Sequence, residues 1–168
     1  LNMMGAKIKF FNKRRYKGEL IGDIFVKSRQ KLKAINLDSS LNSSAIDEFL
    51  LIFLVASKCD GISTFKNLSE LNKKESKRLD WAFKILKMMG IKTTKIKDFG
   101  IKIKGNVYLE LNKTYVIKNY LKDHRIFMVS AIAALTLGGN WKIYDPKSFR
   151  TSFPTFLKTL RYLGAKIK

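Results

Sequence analysis

The chain has 168 residues, 46% hydrophobic and 12% aromatic, with two prolines, ten glycines and one cysteine. That length suits one domain or a piece of a larger one, and the apolar fraction excludes a disordered chain. One cysteine, Cys59, and one histidine, His124, exclude an intramolecular disulfide framework and argue against a zinc site. Lys and Arg number 34 against 13 Asp and Glu, a formal charge of +21, which raises nucleic acid or a membrane surface as a partner. The lysines are scattered, however, and many alternate with apolar residues, as in Lys7-Ile8-Lys9 and Ile101-Lys102-Ile103-Lys104. Alternation puts lysine on the wet face of a strand, so solvated sheet faces are favoured over a nucleic-acid footprint. The two most apolar stretches, 49–56 and 126–137, fall short of the ~20 residues that cross a bilayer and read as buried helices. With no targeting segment visible, the chain reads as cytoplasmic.

In chain order, strands are predicted near 6–11, 20–27 and 32–37, then a helix over 44–58 and a strand at 62–65. A helix over 74–89 follows, then strands near 91–97 and 101–104 and a short one at 108–111. A helix at 124–137, a strand near 141–144 and a last helix with Phe153-Pro154 in its first turn complete the series. One phrase recurs three times: Leu1-Asn2-Met3-Met4-Gly5, Leu86-Lys87-Met88-Met89-Gly90 and Leu160-Arg161-Tyr162-Leu163-Gly164, each followed by an apolar/lysine alternation. Physically this is a helix closed by a glycine and then a strand. The recurring unit is β-α-β-α-β-β, an α/β protein built from repeats. The chain begins at a helix tail and stops as a strand begins, which reads as a segment of something longer.

Polar residues cluster where the predicted helices begin. Lys73-Lys74-Glu75-Ser76-Lys77-Arg78 opens the second, with Lys74 and Arg78 four apart on one face. A cation is unfavourable at a helix N-terminus unless an anion binds there, so this is either a solvated charged start or an anion site. Asp123-His124-Arg125 opens the third, with Asp123 as N-cap and Arg125 offering a forked donor for carboxylate or phosphate. In the first, Asp47 and Glu48 are either dipole-complementing caps or a base held at the edge of a buried helix. Together these residues describe a site for an anionic substrate with acid/base chemistry. No G-x-G-x-x-G follows a strand and no G-x-S-x-G elbow is present.

Ile46-Asp47-Glu48-Phe49, the stretch from Ser69 through Lys74-Glu75-Ser76-Lys77-Arg78 to Leu79, Asp123-His124-Arg125 and Ser152-Phe153-Pro154 stand in characteristic order and spacing. In these motifs the chain resembles the 3-phosphoshikimate 1-carboxyvinyltransferase (EPSP synthase) family. The resemblance implies two similar domains, each of three βαβαββ units in an inside-out α/β barrel. Residues 1–168 would then be most, but not all, of the C-terminal domain. It implies transfer of the enolpyruvyl group of phosphoenolpyruvate to the 5-hydroxyl of shikimate 3-phosphate, releasing phosphate, with no cofactor and no metal. The full-length enzyme would be a cytoplasmic monomer with no nucleic-acid or membrane partner.

By the same resemblance, Asp47 contacts the shikimate hydroxyls and accepts a proton, and Glu75 handles the proton at the methylene carbon of phosphoenolpyruvate. Lys74 reaches shikimate 3-phosphate, Arg78 and Arg125 hold phosphoenolpyruvate, and His124 lines that pocket. The chain departs from the usual motif at Asn72, where the family has Arg, and at Lys77, where it has Asp. The alternatives are a UDP-N-acetylglucosamine enolpyruvyl transferase-like enzyme, or a basic nucleic-acid-binding α/β domain.

Overall fold

The computed structural model describes residues 1–27 and 31–167. A hairpin, β1 (Ile8–Tyr16) and β2 (Glu19–Val26), opens the chain. Lys17 and Gly18, both at positive φ, form its two-residue turn, the geometry whose twist matches paired strands. Next come the short helix α1 (Asn42–Ala45), α2 (Phe49–Ala56), β3 (Ile62–Phe65), α3 (Arg78–Met88), β4 (Lys92–Ile96) and β5 (Gly100–Lys104). The chain continues as β6 (Leu111–Ile117), α4 (His124–Leu137), β7 (Gly138–Ile143) and α5 (Phe156–Tyr162).

The repeat is visible in the pairing. Lys33 and Asn36 bridge in parallel to Asp60 and Thr64 at β3, and β5 lies antiparallel between β3 and β4. The segment at 33–36, α2, β3, α3, β4 and β5 thus form one β-α-β-α-β-β unit. A second begins with β6 and β7, which pair in parallel across the α4 crossover. All three recurring glycines, Gly5, Gly90 and Gly164, lie at positive φ. There a Cβ would strain the backbone, which is why each helical turn closes on glycine. Strands follow the first two. After the third, Lys168 lies outside the described residues, and 165–167 form no strand.

The core is built around α2, whose Phe49, Leu50, Phe53, Leu54 and Ala56 are buried. Phe49 and Phe53 meet Phe65 of β3 at centroid distances of 6.0 and 5.1 Å, the edge-on geometry aromatic pairs prefer. The helix packs on α3 and α4. α3 presents Leu79, Ala82, Ile85 and Leu86 inward at helical spacing. No single helix among the described residues is long and apolar enough to cross a membrane.

Several boundaries differ from expectation. The predicted helix 44–58 is broken by a turn at 46–48, where Asp47 is drawn toward cations from two other segments. The predicted helix 74–89 begins only at Arg78. Lys74 is extended after a 3-10 turn over Ser69–Lys73, and Asn72 caps α3 from outside by accepting from the Leu79 N–H at 3.0 Å. At 32–37 there are two bridges rather than a strand. At 108–111 a turn precedes β6, which buries Leu111, Tyr115 and Ile117 and exposes Asn112, Lys113, Thr114 and Val116. Phe153-Pro154 precedes α5 rather than lying in its first turn.

Candidate active site

Three chain segments, far apart in sequence, converge on one ionic cluster. The turn between α1 and α2 supplies Asp47 and Glu48, the linker into α3 supplies Lys74, Glu75 and Ser76, and the start of α4 supplies Asp123 and Arg125. Arg78, the first residue of α3, sits at the centre, 2% exposed. Its Nε donates to Asp123 Oδ2 at 2.9 Å, Nη1 to Asp47 Oδ1 at 2.8 Å, and Nη2 to Glu75. Lys74 Nζ lies 3.3 Å from Asp47 Oδ1. Arg125 donates from Nη1 to Glu48 Oε1 at 2.9 Å, and its Nη2 is 3.8 Å from Asp47 Oδ2.

Five of the six expected site residues, Asp47, Lys74, Glu75, Arg78 and Arg125, are therefore neighbours. His124 is the first residue of α4 and half-buried, and its imidazole makes no hydrogen bond to a described residue. The dipole argument for Lys74 is corrected: it lies outside the helix and reaches Asp47 from an extended backbone. Arg78 is likewise not an open anion site, because three carboxylates of the chain already surround its guanidinium.

Asp123 was legible only as an N-cap, and it does accept from the Arg125 N–H at 2.9 Å. Fold context adds that it is 1% exposed and also accepts from Ser76 Oγ at 2.8 Å and from Arg78. One carboxylate thus joins the linker, α3 and α4, and fixes the two arginines relative to each other. Burial pushes its pKa up, but hydrogen bonds from Arg78 and Ser76 prevail and hold it below the ordinary carboxylate value. Asp47 follows the same logic: burial raises its pKa, and Lys74, Arg78 and Arg125 bring it below the ordinary value. Both carboxylates stabilise the fold fully above about pH 4, and that contribution is lost as pH falls through their depressed native values. Thermal unfolding followed by circular dichroism should give a Tm that declines below about pH 4, with a shallower decline in an Asp123→Asn variant. Equal acid sensitivity in both proteins would contradict this.

Beside the cluster a cleft of about 620 Å³ opens, lined by Ser39, Ser40, Asn42, Ser43, Glu70 and Lys74 among others. Lys74 borders both cleft and cluster. Among the described residues no group of His, Cys, Asp and Glu could hold a metal ion.

This α/β repeat fold is shared with solved enolpyruvyl transferases. The enolpyruvyl transferase NikO from Streptomyces tendae aligns over 99% of this chain and 34% of its own length, with a TM-score of 0.67 at 15% identity, a likeness of fold alone. The EPSP synthase of Acinetobacter baumannii aligns over the whole chain and 38% of its own length, with a TM-score of 0.89 and 32% identity. A 3-phosphoshikimate 1-carboxyvinyltransferase from Thermodesulfovibrio yellowstonii is 37% identical over 163 residues, 97% of this chain and 37% of the relative. The sequence profile of EPSP synthase (3-phosphoshikimate 1-carboxyvinyltransferase) matches residues 1–160, and the chain belongs to that family. It spans somewhat more than a third of the length of the curated relatives it matches.

Proposed function

We propose that the chain forms most of the C-terminal domain of a 3-phosphoshikimate 1-carboxyvinyltransferase and supplies one wall of its substrate cleft. The observation that carries this reading is the convergence of Asp47, Lys74, Glu75, Arg78 and Arg125 from three separate segments. Their chemistry suits the reaction. Phosphoenolpyruvate is a polyanion, and forked guanidinium groups hold carboxylate and phosphate oxygens in fixed geometry. The hydroxyl-lined cleft beside Lys74 suits a polyhydroxylated, phosphorylated acceptor.

In the addition step the 5-hydroxyl oxygen of shikimate 3-phosphate bonds to C2 of phosphoenolpyruvate. The hydroxyl proton leaves to Asp47, and a proton from Glu75 is delivered to the C3 methylene carbon. In the elimination step the bond between C2 and the phosphate oxygen breaks, Glu75 takes a proton back from C3, and phosphate departs with the proton that Asp47 had accepted. No electron carrier is required by this sequence of steps. The cations around Asp47 make it a weak base. Substrate anions that draw Lys74 and Arg125 away would restore its basicity, so the base is armed by binding. The enzyme so described is a monomer acting in the cytoplasm on small molecules, without nucleic acid or membrane.

The reading is tested in a full-length polypeptide in which residues 1–168 replace the matching segment of the Thermodesulfovibrio yellowstonii relative. Loss of a charge-assisted fork in Arg125→Ala should raise KM for phosphoenolpyruvate by about 10- to 100-fold. KM for shikimate 3-phosphate should change far less. Equal effects on the two substrates would remove Arg125 from its assigned place.

A further inference from the structure

The guanidinium of Arg125 is already occupied. Its Nη1 donates to Glu48 Oε1 at 2.9 Å and its Nη2 faces Asp47 Oδ2 at 3.8 Å, while its Nε is buried without a partner among the described residues. The Nη1–Nη2 edge is therefore the one left for an outside anion, beside a hollow that Asp47 and Glu48 also line, and the chain's own carboxylates span it. Any anion that binds this edge bidentately must remove one of them.

The two carboxylates are not equally held. Asp47 is also bound by Arg78 at 2.8 Å and Lys74 at 3.3 Å. Glu48 has Arg125 as its sole partner among the described residues, and its side chain is 54% exposed, so it can turn into water. The charge balance points the same way. Among the described residues the cluster sets Lys74, Arg78 and Arg125 against Asp47, Glu48, Glu75 and Asp123, one carboxylate more than there are cations.

We propose that Glu48 occupies the place on Arg125 that the anion of phosphoenolpyruvate takes, and so sets the affinity for it. The inference rests on Arg125 holding phosphoenolpyruvate as proposed above. Glu48 is displaced during binding, and its competition weakens the substrate's hold by the worth of an exposed ion pair. That corresponds to about two- to five-fold in Kd.

The test uses isothermal titration calorimetry of the full-length polypeptide carrying residues 1–168, titrated with phosphoenolpyruvate and, separately, with inorganic phosphate at low ionic strength. Glu48→Gln keeps size and hydrogen bonding but removes the charge, and Glu48→Ala removes both. Each should bind phosphoenolpyruvate about two- to five-fold more tightly than the parent, with the gain shrinking as salt is added. KM for phosphoenolpyruvate in the full-length enzyme should follow the same order. If Glu48 instead buttresses Arg125, alanine weakens binding and glutamine restores it. That result, or unchanged Kd in both variants, overturns the proposal. An Arg125→Lys control separates the two levels: undiminished binding there would defeat the assignment of Arg125 itself, whatever Glu48 does.

Discussion

Glu75→Gln should lower turnover by about 10²- to 10⁴-fold while leaving both KM values within a few-fold of the parent. Positioned acid/base groups contribute rate factors of that size, and a carboxamide keeps the shape of the side chain without exchanging its proton. Glu75 has a half-exposed side chain that is held at one oxygen by the Arg78 guanidinium. It is therefore free to face a substrate carbon yet fixed at one oxygen. The same variant should slow exchange of solvent deuterium into the C3 position of phosphoenolpyruvate, because that exchange needs the protonation step and its reversal. Normal exchange with slow turnover would move the defect to phosphate departure and take Glu75 out of the proton-handling role.

Asp123→Ala should be the most destabilising single change at the site. It leaves Arg78, 2% exposed, without its best-buried partner, and it removes the acceptors of Ser76 Oγ and the Arg125 N–H. Breaking a buried charge pair from one side costs about 3–5 kcal/mol. In a chain of this size that lowers Tm by about 6–20 °C. Asp123→Asn should lie between, since asparagine caps a helix as well as aspartate does but carries no charge for Arg78. Equal stability of the alanine variant, measured by urea or thermal denaturation, would mean that the buried tie contributes nothing. Catalytic loss in the asparagine variant, at a temperature where it is folded, would report misalignment of Arg78 against Arg125.

The elements written in the strongest local chemistry were the most legible. The helix at His124–Leu137 and the strand at Ile62–Phe65 follow from an aspartate cap before an apolar run and from a short alternation between turns. The glycine-closed repeat located the units because a left-handed residue leaves a mark on sequence. The misplaced boundaries lie at the site itself. Residues 46–48 and 74–77 have helical propensity, but Asp47, Glu48, Lys74 and Ser76 are bound by residues 27 to 78 positions away, and no local pattern encodes such partners. Asn72, which departs from the family's arginine, caps α3 and accounts for the late helix start. β6 was missed because its exposed Asn112, Lys113 and Thr114 mask the inward Leu111, Tyr115 and Ile117. Asp123 offered a cap signal and nothing to announce its burial. The resemblance to a known family supplied the roles of the site residues, while composition and periodicity supplied only the class of chemistry.

The central claim is that this half-cleft serves enolpyruvyl transfer to a phosphorylated shikimate, and one assay addresses it. Phosphate release is followed in the full-length polypeptide carrying residues 1–168, with phosphoenolpyruvate and either shikimate 3-phosphate or UDP-N-acetylglucosamine as acceptor. Sustained release with shikimate 3-phosphate alone, matched one for one by the enol ether product and abolished when either substrate is omitted, is the predicted result. Release that depends on the UDP sugar, or none with shikimate 3-phosphate from a folded protein, would contradict the account.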